Sequence, residues 1–122
     1  MHTVAELHTF RRAAAEAGMS PEELSDLVTF LAENPTAGDE IAGTGGCRKL
    51  RLAGRGKGKS GGYRTITFYT GQQMPVFLIT VFSKGDRVNL SKQERNQLGA
   101  ITKLIVEQYR VRVRAVEARR KR

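Results

Sequence analysis

The run V-F-L-I-T-V-F at residues 76–82 constrains the fold more than any other stretch of the chain. It is nearly all apolar, and a strand of that kind is stable only when both of its faces are buried. The chain must therefore build a sheet in which this strand is central. Two further segments read as its neighbours. Residues 47–53 (C-R-K-L-R-L-A) place Leu50 and Leu52 inward and Lys49 and Arg51 outward. Residues 63–70 (Y-R-T-I-T-F-Y-T) alternate again, with Arg64, Ile66 and Phe68 on one side and Tyr63, Thr65, Thr67 and Tyr69 on the other. Between these two strands lies G-R-G-K-G-K-S-G-G at 54–62, a glycine-rich loop.

The covering layers come from both ends of the chain. Residues 5–17 show helical spacing at Leu7, Phe10, Ala14 and Ala17, with Gly18 as the stop. Ser20, Pro21 and Glu23 form a capping box with proline at the first helical position, starting a second helix that ends at Asn34-Pro35. Residues 36–46 read as a loop. Ser91 and Glu94 form another capping box before a helix with the apolar stripe Leu98, Ile101, Leu104 and Ile105. Residues 110–114 (R-V-R-V-R) alternate like a strand yet directly continue that helix, and residues 118–122 read as a frayed, solvated tail. The order predicts one α+β domain over residues 1–109: an antiparallel sheet of three to four strands, two N-terminal helices and one C-terminal helix. A basic extension at 110–122, open to disorder, follows it. At 122 residues the chain has room for one core and not two.

Charge is unevenly distributed. Residues 1–40 carry eight acids against two bases, whereas 41–85 carry eight bases and no acid, and 110–122 carry seven bases and one acid. Solubility alone explains a 45-residue stretch without an acid poorly. Such a stretch fits a face aimed at a polyanion. On this ground residues 43–64 are expected to form the working surface of a protein that handles RNA.

Several chemistries fit badly. Cys47 is the lone cysteine, which excludes an internal disulfide, suits a reducing cytoplasm and reads as a small buried strand residue. His2 and His8 stand apart from the basic segment, and no ligand cluster suggests a metal. No apolar run reaches the roughly 20 residues that span a bilayer, and no signal peptide is visible. Gly58-Lys59-Ser60 matches the end of a P-loop, but Ala53 stands where that pattern needs glycine, and a strand follows where it needs a helix.

What remains is a surface offering Lys49, Arg51, Lys57, Lys59, Arg64 and Lys84. It can bind phosphate in a salt-dependent way. It also has the groups for metal-free RNA cleavage, in which a 2′-OH attacks its own 3′-phosphate. Arginine's planar fork pairs with phosphate oxygens, and a lysine crowded by other cations has its pKa lowered toward proton transfer. Composition by itself supports binding rather than catalysis.

The pattern N-P-x-x-G-D-x-I-x-G-T-G-G-x-R-K-x-R-x-A-x-x-G-K-G-K-x-G-G-x-R, Asn34 through Arg64, resembles the HigB branch of the RelE-type bacterial toxins, and S-K-G around Lys84 followed by Leu90-Ser91 and a helix extends the match. The resemblance covers roughly residues 20–105. It implies a RelE-like fold of the microbial-ribonuclease type and an endoribonuclease that cuts messenger RNA in the decoding site of the ribosome, against 16S rRNA. It needs no cofactor and no metal. The implied partners are messenger RNA, the ribosome and a cognate antitoxin, commonly a helix-turn-helix protein, in the cytoplasm and without a membrane. By the same resemblance Arg64, Lys84, Lys57 and Lys59 are the candidate catalytic residues, and Arg48, Lys49, Arg51, Arg55 and Phe82 the candidate RNA-binding ones. Several relatives carry tyrosine where this chain has Phe82, which can stack on a base but cannot move a proton. That departure leaves open a non-cleaving inhibitor of RNA or the ribosome. The ParE-like gyrase poisons, which share the fold, are a further alternative.

Overall fold

The computed structural model describes residues 2–53, 62–71, 73–83 and 90–120. The elements run β1 (Val4–Glu6), α1 (His8–Ala17), α2 (Pro21–Glu33), β2 (Asp39–Glu40), β3 (Cys47–Ala53), β4 (Gly62–Phe68), β5 (Val76–Ser83) and α3 (Lys92–Arg120). The strands form one sheet in the order β1-β5-β4-β3-β2. The α+β class and the meander β3-β4-β5 agree with the sequence reading. The sheet is nevertheless mixed and five-stranded rather than antiparallel with three to four strands.

Both extra strands have physical causes. Residues 4–6, of which 5 and 6 were expected to open the first helix, pair in parallel with β5 from Val4↔Val76 to Glu6↔Leu78. An uncovered edge of β5 would leave buried backbone groups unpaired. The Leu7 amide donates to Leu78 O at 3.0 Å and the Thr9 hydroxyl to Ile79 O at 2.8 Å, so the helix begins only at His8. In the predicted loop 36–46, Asp39 and Glu40 pair with Lys49 and Arg48.

Both faces of β5 are covered, as its composition requires. Val76, Leu78 and Val81 join Phe10, Leu27, Leu31 and Tyr63 under α1 and α2. Phe77 and Ile79 join Cys47, Ile66, Phe68 and Leu98 under α3. Burial of this kind stabilises by roughly 25 cal/mol for each Å² of apolar surface removed from water.

Local signals set the helix ends. Both capping boxes are formed: Glu23 N donates to Ser20 Oγ at 3.1 Å and Ser20 N to Glu23 Oε1 at 2.8 Å, with Ser91 and Glu94 repeating the exchange at 3.1 and 2.9 Å. Gly18, at φ 76°, ends α1 in the left-handed region. Helix α3 runs unbroken through position 110, where a strand or an extension was in question, and continues to Arg120. At 29 residues it is about 43 Å long. Only Leu98 and Thr102 of it are fully buried, and every residue from 110 to 120 is exposed.

Candidate RNA-facing site

The α3 face of the sheet has two ends. At one end α3 is held down by the Gly43–Gly46 turn. The Thr102 hydroxyl donates to Thr44 O at 2.9 Å, and a Cβ on Gly99 would come within 3.2 Å of Gly43 O. Thr44 is wholly buried, donates to Ile41 O at 2.6 Å and accepts from the Cys47 amide at 3.1 Å. Gly43, Gly45 and Gly46 all take positive φ. The G-T-G-G part of the segment expected to be a working surface is therefore a helix latch.

At the other end the sheet carries a row of three side chains in register. Arg51 on β3 pairs with Arg64 on β4, and Arg64 pairs with Phe82 on β5. Adjacent strands lie about 4.8 Å apart, so the two guanidinium groups share one patch beside an aromatic ring. Lys49 lies on the same face, paired with Ile66 on β4 and with Asp39 on β2. Arg51 is exposed, whereas Arg64, Lys49 and Phe82 are partly buried. Like charges directly opposite one another destabilise a sheet, and among the described residues neither Arg51 nor Arg64 has a carboxylate in ion-pair contact. An anion placed between them would relieve that repulsion.

Phe82 reaches this face because of a bulge. The pairing steps from Thr67↔Leu78 to Ile66↔Thr80, leaving Ile79 without an opposite residue. With regular alternation Phe82 would share the face of Val76 and Leu78, under α1 and α2. The extra residue reverses the alternation and turns Phe82 toward Arg64.

The structure separates some of the candidates. Arg48 points to the face opposite Lys49 and Arg51. Its pairs are Thr67 and Glu40, and its Nη2 lies 3.9 Å from Glu40 Oε1. It does not join the row. Arg55, Lys57, Lys59 and Lys84 lie outside the described residues. The chain leaves the described residues at Ala53 and returns at Gly62, which pair with each other, and Ser83, preceding Lys84, pairs with Tyr63 beside Arg64.

The titratable groups with shifted behaviour flank the site rather than form it. Burial pushes the Cys47 thiol up to about 11, against a partial lowering by the Thr44 hydroxyl. Burial first, then the hydrogen bond and charge of Glu23, raise the Tyr63 phenol. That hydrogen bond, 3.1 Å to Glu23 Oε1, ties β4 to the start of α2. His2 packs edge-on against Tyr69, beyond the end of β4 away from Arg64. Among the described residues no three His, Cys, Asp or Glu side chains gather as a metal site, and no helix is long and apolar enough to cross a membrane.

Fold and charge together define a small α+β protein with a cationic sheet end suited to a polyanion. A family model described as the RelE toxin of the RelE/RelB toxin–antitoxin system matches residues 3–120, and the chain belongs to that family. The matched span includes the whole of α3. Among solved structures the chain is similar to a double-arginine mutant of the E. coli toxin RelE in its free state. The two share 21% identity with a TM-score of 0.48, over 69% of this chain and 84% of that one.

Proposed function

We propose that this chain is the toxin of a type II toxin–antitoxin pair, of the HigB branch, and that it acts in the cytoplasm as a metal-independent, ribosome-dependent endoribonuclease. The observation that carries this reading is the Arg51–Arg64–Phe82 row in a protein of the RelE family. Its substrate is messenger RNA seated against 16S rRNA in the decoding site, and its neutralising partner is a cognate antitoxin, commonly of the helix-turn-helix kind.

The chemistry follows from the side chains available. The 2′-oxygen attacks the adjacent phosphorus, the bond to the 5′-oxygen breaks, and a 2′,3′-cyclic phosphate and a free 5′-OH result. Arg64, with Arg51 beside it, neutralises the extra charge that builds on the phosphoryl oxygens. Phe82 stacks on a neighbouring base, which is worth about 1–3 kcal/mol. Lys57, Lys59 and Lys84 supply the cationic groups that take the 2′ proton and return one to the leaving oxygen. Lys49 and Arg55 hold the flanking phosphates.

Induction of the wild-type chain should arrest growth and cut translated messages, and Arg64→Ala should abolish the arrest and lower cleavage by about 10²–10³-fold while the protein remains folded. Intact transcripts at full expression, on programmed ribosomes as well as free, would refute the nuclease reading. Phe82 supports one alternative, because it provides no hydroxyl for proton transfer: an inhibitor that occupies the ribosome without cutting. Growth arrest with intact transcripts is the outcome that alternative expects. A ParE-like action would appear instead as loss of gyrase supercoiling.

A further inference from the structure

Six large apolar side chains are exposed among the described residues, and five of them, Ile101, Leu104, Val111, Val113 and Val116, belong to α3. Three of the five lie on one line. Ile101, Leu104, Gln108, Val111, Ala115 and Ala118 follow each other at alternating spacings of three and four residues, the seam of a two-helix coil. This line is rotated about 130° around the helix from the sheet-facing Leu98 and Thr102, so the body of the protein leaves it open. Leu104 is 58% exposed and Val111 52%.

We propose that this seam seats an acidic amphipathic helix contributed by a different chain. Charge selects the occupant. Arg112 and Arg119 flank the seam on one side and Arg114 on the other, against the single acid Glu107. Residues 110–120 carry five arginines and one glutamate, so a second copy would set like charges against each other. RNA would satisfy the arginines but would leave Ile101, Leu104 and Val111 facing water. An apolar stripe with acidic flanks answers both features.

The position of the seam gives the contact a consequence. Ile101 also borders a groove of about 530 Å³ between α1 and α3, walled by Ala13, Ala17, Leu90, Leu98 and Phe82. A helix on the seam that continues past Ile101 enters this groove and covers Phe82, the ring opposite Arg64. It would mask the proposed cleavage row without touching either arginine. That this occupant is the antitoxin rests on the toxin–antitoxin reading; the contact itself does not.

The test uses the full chain and two labelled synthetic peptides of about 21 residues, roughly 31 Å of helix. Both carry leucine at the seam positions, one with glutamate and the other with lysine at the flanking positions. The glutamate peptide should bind at least about tenfold more tightly than the lysine peptide, and Leu104→Gln combined with Val111→Gln should weaken it by a similar factor with unchanged circular dichroism. Equal affinity for the two peptides, or no effect of the double substitution, would overturn the proposal. So would sedimentation of the wild type as a dimer that the double variant dissociates, or loss of affinity for a short RNA with peptide binding unaltered. Growth arrest is scored separately on the same double variant. Peptide binding without arrest in the wild type leaves the interface standing and removes the toxin reading, whereas arrest without peptide binding does the reverse.

Discussion

The two ends of the α3 face arise from one continuous stretch of sequence, yet they do different work. At the Gly43–Gly46 end the backbone is bent through positive φ so that α3 can sit on it, and the side chain that matters, Thr44, is fully buried. At the Arg51–Arg64–Phe82 end the backbone is extended strand, re-aimed by the bulge at Ile79, and it is side-chain charge that sets the character of the surface. A contiguous motif is therefore not a contiguous site. The first half supplies the support and the second half the cations, and substitutions in the two halves should fail in different ways.

The largest effect belongs to the charged end. Arg64→Ala should lower cleavage by about 10²–10³-fold, the usual loss when one donor to a developing anion is removed. Stability should stay level or rise by up to about 1 kcal/mol, because a like-charged pair across β3 and β4 disappears. Cleavage assays and thermal unfolding of the same preparation measure both. Loss of activity together with a collapse in melting temperature would mean that Arg64 holds structure, and the contrast between the ends would fail.

Glycine substitutions near the latch should show the opposite pattern. Gly38 sits at φ 100°, and an added Cβ would lie 2.8 Å from the backbone oxygen of Lys49. Neither the strain nor the clash can be relieved cheaply, so Gly38→Ala should cost about 2–4 kcal/mol. Gly43, at φ 79°, has open space where the Cβ would go. Gly43→Ala should cost only the left-handed penalty, about 1–2 kcal/mol. Denaturant titration of the pair separates steric clash from backbone strain, and equal losses would contradict the account of Gly38. Whatever fraction remains folded should keep full specific activity.

A third effect is pH-dependent and comes from Cys47, wholly buried beside the latch. Its folded pKa of about 11 lies above its ordinary value of 9.0. The folded protein thus holds this proton more tightly than the unfolded chain. The resulting stability is fully present below about pH 9 and disappears as pH rises toward 11. It amounts to about 2–3 kcal/mol. Tyr63, shifted upward as well, steepens the alkaline loss above its ordinary range. Unfolding free energies compared at pH 8.5 and pH 10.5 should diverge strongly for the wild type and less for Cys47→Ala. An unchanged pH slope in that variant would show that the thiol carries none of the linkage.

What could be read from the sequence is what short-range chemistry decides. Both capping boxes were visible because each joins residues three apart. The alternation of β3 and β4 and the two-sided burial of β5 were visible as periodicity. The same periodicity holds a warning about Arg48: neighbours in a strand face opposite ways, so Arg48 and Lys49 cannot both serve one surface. The parallel β1 was hidden because its cause is the edge of a strand some 70 residues away, and two of its three residues, Ala5 and Glu6, read locally as the start of a helix. The bulge at Ile79 was hidden for a similar reason. It changes no residue type, yet it decides that Phe82 and not Val81 stands opposite Arg64. R-V-R-V-R at 110–114 imitates a strand, and only its continuity with α3 makes it helix.

The smallest effect tests the covered side of the same sheet and should reverse the usual sign. Thr65 and Thr67 lie on β4 under α1 and α2, almost inaccessible to solvent, and among the described residues their hydroxyls have no hydrogen-bond partner. A buried hydroxyl without a partner costs about 1–3 kcal/mol of desolvation. Valine keeps the branched shape and removes the polar atom, and it suits a strand at least as well. Thr67→Val should therefore raise the unfolding free energy by up to about 1 kcal/mol, the net left after small packing adjustments. It should not alter cleavage, because position 67 faces away from Arg64. A destabilised Thr67→Val would mean that the hydroxyl does have a partner, such as a bound water. The strand would then be satisfied on the covered face while its open face still carries the opposed arginines.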